Sequence, residues 1–302
     1  MPETAPRTRK TFSRHVAPFA PVALALLMQT ASNGGAGNNA ATTNTTTPAE
    51  AVETAEGGSG FAQTCTNPHF PPNSAPTTID ATSCTLSGSG GAETFQNDAK
   101  NNFCATGPAQ PITIPQMVNL MSQVEQNPSI PFGSTHGHPL TNKPGPATDR
   151  KPLQALGEGT EVILQGYVLI ARPEGAESVN CGKNVANIPT NHDIHISIVD
   201  SATQTDECSG VVAEMIPHHR PAAWTAQNVM AVANKKLPVR VTGQLMFDSS
   251  HTPCQNGSAV SGDPKRVSLW EVHPIYEFDV CPQGTCANGN GWVTLEEFLK
   301  QD

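Results

Sequence analysis

Asp193 to Asp200 reads DIHISIVD. Ile194, Ile196 and Ile198 alternate with Asp193, His195 and Ser197, which is the period-two pattern of a strand with one apolar and one polar face. The same texture extends on both sides. Upstream, Glu161 to Ala171 (EVILQGYVLIA) reads as a strand with Gly166 in its middle. A mid-strand glycine points to a bulge or sharp curl. Downstream, Val211 to Ile216 (VVAEMI) is a third strand. A helix follows, with Pro221 in its first turn and Val229, Val232, Ala233 and Leu237 along one stripe; Pro238 stops it. Leu237 to Asp248 (LPVRVTGQLMFD) is a fourth strand, again with a central glycine, Gly243. Arg266 to Val280 (RVSLWEVHPIYEFDV) is a long fifth strand, bent or broken at Pro274.

The order β-β-β-α-β-β is that of the five-stranded OB-like barrel, whose helix lies between strands three and four. The expected fold class is therefore mainly β: an OB-like barrel over residues 158–302 with a C-terminal helix, an open β-sandwich being the alternative. Ahead of it, residues 61–157 form a Cys-containing, loop-rich region. One helix is expected there, after Pro115, from Met117, Leu120, Met121 and Val124. Residues 127–152, rich in Pro and Gly, read as a linker or ordered loop.

The segments Asp193-Ile-His195-Ile, Val211 to His218, Val239 to Asp248 and Leu269 to Pro274 resemble those of uncharacterised exported bacterial proteins with an OB-like core. The resemblance covers about residues 158–282. It implies the barrel and carries no activity.

The N-terminus carries Arg7, Arg9, Lys10 and Arg14, then an apolar stretch from Val16 to Met28, then small and polar residues. That is the order of a secretory signal, placed here at residues 1–31. The apolar stretch is short and broken by Pro18 and Pro21, a poor match to the roughly 20 residues of a membrane span. A retained anchor is the competing reading. Residues 32–60 lack large apolar side chains and read as a disordered tether. The mature chain is expected to be secreted or periplasmic, without a membrane span.

All eight cysteines follow the signal: Cys65, Cys84, Cys104, Cys181, Cys208, Cys254, Cys281 and Cys286. An even number in an exported chain favours disulfides, and no C-x2-C pair points to structural zinc. The net charge is −9, and removing residues 1–30 leaves 13 basic against 25 acidic residues, or −12. Such a chain is a poor candidate for nucleic-acid binding, which draws on Lys and Arg.

The polar residues of the strands hold the chemistry. His195, Glu214, Asp248 and His273, with His251 and Glu271 in support, are the groups that a divalent cation or a general acid/base pair needs. Glu271 and His273 lie two apart and so share a face. The plainer reading is a cross-strand polar network on a solvated outer face. His218, His219 and Arg220 precede the helix and could meet an anion at its N-terminus; a solvated turn is the plainer reading. His136 and His138 lie in the Pro/Gly-rich stretch.

The sequence contains no P-loop, G-x-S-x-G or H-E-x-x-H. The segment Ala287 to Phe298 echoes half of an EF-hand loop, but Cys286 stands where a carboxylate should bind. A turn and a helix capped by Thr294 and Glu297 explain it better. Trp224, Trp270 and Trp292 are expected in the core. Two functions are carried forward. One is an exported noncatalytic module binding a protein, peptide or saccharide. The other is a metal-dependent hydrolase using the His/Asp/Glu set.

Overall fold

The computed structural model describes residues 65–74, 94–127, 130, 150–174, 192–249, 251–259, 263–286 and 289–301. The chain divides into two compact units, Met1–Glu53 and Thr54–Asp302, and every described residue lies in the second. The signal, the whole tether at 32–60, Cys84, Cys181, His136 and His138 lie outside the described residues.

The barrel strands are β2 (Thr160–Pro173), β3 (Ile194–Val199), β4 (Val211–Met215), β5 (Pro238–Phe247) and β6 (Trp270–Val280). Neighbours run β2-β3-β4-β6-β5, and a β2–β5 pairing closes the ring. All these pairings are antiparallel except β4–β6, which is parallel through Ala213 and Val272. This is the OB barrel order expected from the sequence.

Closure depends on the two mid-strand glycines. A Cβ on Gly166 would lie 2.5 Å from the Val199 carbonyl oxygen, and one on Gly243 would lie 2.4 Å from that of Pro274. The β5–β6 register shifts on both sides of Gly243. Sheet curvature at these points requires a residue without a side chain.

Ile194, Ile196 and Ile198 enter the apolar core with Val211, Ala213 and Met215 of β4, Val241 and Leu245 of β5, and Val272 of β6. The helix between β4 and β5 is Ala226–Asn234, and it buries Val229 and Val232 against the barrel. Its N-cap is Thr225, whose hydroxyl accepts from the Asn228 N–H at 3.1 Å. Pro221 therefore lies in the preceding turn and not in the helix, because Thr225 offers the cap that Pro221 cannot.

Before the barrel come a helix α1 (Thr94–Lys100), a strand β1 (Thr106–Ile112) parallel to β2, a helix α2 (Ile114–Gln126) and a single turn α3 (Lys151–Gln154). The Ala226–Asn234 helix is thus α4. Helix α2 is the one expected after Pro115, opened by a Thr113/Gln116 capping box. Met117, Met121 and Val124 form its buried stripe. The loop-rich region has more structure than its composition indicated, since α1 and β1 sit in a stretch without apolar periodicity. At the other end, β7 (Val293–Thr294) pairs with β6, and α5 (Leu295–Leu299) opens with the expected Thr294/Glu297 capping box.

Cys65–Cys104, Cys208–Cys254 and Cys281–Cys286 are disulfides. No described helix is long and apolar enough to cross a membrane. Trp224 and Trp270 are buried, whereas Trp292 is only partly covered, with the Arg240 guanidinium over its ring.

Candidate metal centre on the barrel's covered polar face

Strand alternation that sends the isoleucines of β3 inward sends Asp193, His195 and Ser197 outward. His195 stands directly opposite Glu214 of β4. Because Ala213 is level with Val272, residues Glu271 and His273 of β6 flank the same outer face. Asp248 follows β5 and is held to the end of β6 by its own N–H, which donates to the Leu269 carbonyl at 2.9 Å.

All six residues singled out in the sequence belong to one connected network. His195 Nε2 lies 3.0 Å from Glu214 Oε1 and 3.1 Å from Asp193 Oδ2. His273 Nδ1 lies 2.7 Å from Glu214 Oε2 and 3.1 Å from Glu271 Oε1. Arg266 Nη1 donates to Glu271 Oε2 at 2.9 Å and to Asp248 Oδ2 at 3.2 Å. His251 Nδ1 closes on the same Asp248 oxygen. The His195 and His251 rings are edge to face, 5.8 Å apart.

Two triads in this network bring their donor atoms within 4.8 Å of one another: Asp193, His195 and Glu214, and Glu214, Glu271 and His273. Glu214 belongs to both and gives one oxygen to each. Asp248 and His251 lie outside the triads and reach them through Arg266 and the His251 ring.

The expectation of a solvated outer face is corrected by the burial. Asp193, His195, Glu214, Asp248, Arg266, Glu271 and His273 are all 0% exposed. The cover is the Cys-containing region. Gln96 of α1 donates to Asp248 Oδ1 at 3.1 Å, and Gln244 Nε2 donates to the Ala99 carbonyl at 2.7 Å. Tyr276 donates its hydroxyl to the Asn102 carbonyl at 2.7 Å. Lys100, also fully buried, adds a positive charge that acts on Glu214 and Asp248.

Electrostatics set the protonation states. Burial opposes ionisation of Glu214, but the charges of His195, His273 and Lys100 outweigh it and hold the carboxyl well below the usual range. Burial likewise opposes ionisation of Asp248, which His251, Lys100 and Arg266 keep ionised. Glu271 is pushed up to about 7 by burial and by the neighbouring charges of Glu214 and Asp248. Burial works against the His273 imidazolium, yet Glu214 and Glu271 raise it to about 9.

Against protein families, characterised proteins and solved structures, the chain has no match. What the site does is therefore argued from its geometry.

Several atoms are poised for a further partner. Among the described residues, neither Glu214 oxygen has an aligned hydrogen bond despite its short imidazole contacts, and none partners His273 Nε2. Imidazole nitrogen and carboxylate oxygen together suit a first-row divalent ion such as Zn²⁺.

His219 and Arg220 turn to different partners, and His218 is buried. The His219 ring stacks on Phe70 at 3.8 Å, and the Arg220 guanidinium donates to the His192 and Met215 carbonyls at 2.6 and 3.3 Å. The helix N-terminus that would attract an anion begins at Ala226 instead of beside them. Arg220 instead serves the cluster: Asp193 lies within its field.

Sequence reasoning passed over Asp193 as a ligand, although its i, i+2 relation to His195 already placed both on one face. Lys100 and Gln96 had no such signal, since both lie outside the barrel strands, and Arg266, expected at the start of the fifth strand, precedes it because β6 begins only at Trp270.

Proposed function

We propose that this is an exported module that binds one divalent cation, with Glu214 as the central ligand and Asp193, His195, Glu271 and His273 around it. The carrying observation is the pair of His/carboxylate triads that share Glu214, one oxygen in each, beneath a closed surface. Buried charges are costly, and replacing such a network by apolar side chains is often neutral or stabilising. A barrel that keeps one is a candidate for function there.

The metal-free cluster is held by cations. Lys100 and Arg266 act on its carboxylates, and Arg220 feels the charge of Asp193. His273, raised to about 9 beside Glu214 and Glu271, adds a proton to the set. A divalent ion replaces that proton, as metal binding to imidazole and carboxylate does in general. The disulfides fit an oxidising compartment outside the cytoplasm.

Metal analysis of the purified protein, with thermal melts in Zn²⁺, Mn²⁺ and Ca²⁺, tests the reading. About one equivalent of bound metal and a rise in Tm with Zn²⁺ are expected, both lost in His195→Ala/His273→Ala. No bound metal and no shift with any of the three ions would overturn it.

A metal-dependent hydrolase is the second reading, and one observation favours it. Glu271, a member of the second triad raised to about 7, has the protonation balance of a general acid or base at neutral pH. The burial of every ligand beneath α1 and its neighbours weighs against it, because a substrate far larger than a metal ion would have to displace that cover. Turnover of p-nitrophenyl esters or phosphodiesters that needs Zn²⁺ and falls in Glu271→Gln would establish it.

A further inference from the structure

Helix α1 is unusual in what it buries. Gln96, Asn97, Lys100, Asn101 and Asn102 are all 7% exposed or less, and among residues 96–103 the buried apolar side chains are Ala99 and Phe103, the latter packed on Ile216 and Tyr276. An element that packs by hydrogen bonds instead of apolar area loses little on transfer to water, since its polar groups are then solvated. Its anchors to the barrel are of this kind: Gln96 on Asp248 and Ser249, Ala99 and Asn102 on Gln244, and Asn102 on Tyr276. A second strap lies over it. His69 N–H donates to the Phe103 carbonyl at 2.7 Å, Phe70 packs on Phe103, and Cys65 is bonded to Cys104.

Gln96 and Lys100 are one helical turn apart and so lie on the same face of α1. Gln96 touches Asp248, so that face is turned to the acidic cluster. A buried ammonium is thus delivered to the polar face by an element from outside the barrel. A bound divalent ion would meet this ammonium as a like charge at close range in a low-dielectric site.

We propose that residues 65–74 and 94–104 form a lid over the cation centre, that the lid opens without unfolding the barrel, and that Lys100 is the intrachain cation which a bound metal ion displaces. The displacement rests on the cation reading above; the opening does not.

Hydrogen exchange on the full, disulfide-bonded protein, together with Zn²⁺ titration of wild type, Lys100→Met and Lys100→Gln, tests both parts. Buried amides of the lid, such as those of Asn101 and Asn102, should exchange at least about a hundredfold faster than those of β5, through a local opening. Zn²⁺ should speed lid exchange further, and both Lys100 variants should bind Zn²⁺ about tenfold more tightly than wild type. Lid amides exchanging as slowly as β5 would overturn the lid, whether or not metal binds. Unchanged or weaker Zn²⁺ affinity in both variants would overturn the displacement. If neither wild type nor variants bound Zn²⁺, the cation reading and the displacement would fall together, and the exchange ratio would still decide the lid.

Discussion

Glu214 is the residue on which the cluster depends. Its two oxygens face different histidines, at 3.0 and 2.7 Å. Glu214→Gln keeps the shape and removes the charge, leaving the His273 imidazolium and Lys100 in dry surroundings without their main anion. Breaking a buried ionic network in this way costs about 3–5 kcal/mol. Chemical denaturation should register that loss, and Zn²⁺ uptake should fall by a hundredfold or more if this carboxylate is the central ligand.

The same residues give the metal-free protein a defined pH response. His273 rises from 6.5 to about 9 on folding, so its contribution is complete below 6.5 and is lost as pH climbs through about 9. Glu271 rises from 4.5 to about 7, so it too favours the folded state less as pH rises through that span. Glu214 is depressed, so its contribution is present above 4.5 and disappears as pH falls toward its folded value. Chelator-treated protein should therefore melt highest at about pH 5–6 and lose Tm steadily toward pH 9. The increment added by Zn²⁺ should grow over the same alkaline range, because the proton it replaces becomes easier to remove. A flat Tm profile between pH 5 and 9 would count against this assignment of charges.

At the scale of elements, alternation and glycine placement made the barrel legible. The inward isoleucines of β3 and the outward His195 follow from one eight-residue pattern. The pairing of His195 with Glu214 and of Ala213 with Val272 then brought the chosen side chains to one face. What could not be read was that this face is covered. Helix α1 has too few apolar side chains for periodicity to reveal it, and its contacts with Gln244 and Asp248 bridge well over a hundred residues. Arg150 and Glu158 escaped notice for a related reason. They form a buried ion pair just before β2, and Arg150 Nη2 also donates to the Phe247 carbonyl at 2.7 Å, a contact that only the closed barrel creates. Two element-scale outcomes follow. Gly243→Ala, whose Cβ would meet the Pro274 carbonyl at 2.4 Å, should destabilise the barrel by at least about 2 kcal/mol in urea denaturation. Thr294→Ala removes the hydroxyl that caps α5 and should cost about 1 kcal/mol by the same measurement.

At the scale of the whole molecule, the disulfides divide their roles by position. Cys65–Cys104 ties the two segments of the lid to each other, while Cys208–Cys254 joins the barrel's β3–β4 side to the loop after β5. The latter closes a separation of 46 residues, for which chain entropy gives a stabilisation of about 4 kcal/mol. Cys208→Ser/Cys254→Ser should lower the unfolding free energy by about 2–4 kcal/mol. Cys65→Ser/Cys104→Ser should act mainly on lid exchange and leave barrel exchange near wild type, since Cys104 follows the lid helix and Cys65 belongs to the overlying strap.

Strand β2 pairs with β5 along its first half and with β3 along its second. Its N-terminal half takes the earlier β1 on one edge, but on the other it waits for Pro238–Phe247, which emerges from the ribosome far later. Until then that half carries unpaired backbone groups and the apolar side chains of Val162 and Leu164, a ready template for another strand. Pairings so distant in sequence form slowly, on the order of milliseconds to seconds. Yield in a cell should therefore depend on how well that edge is shielded until β5 arrives as well as on the stability finally attained.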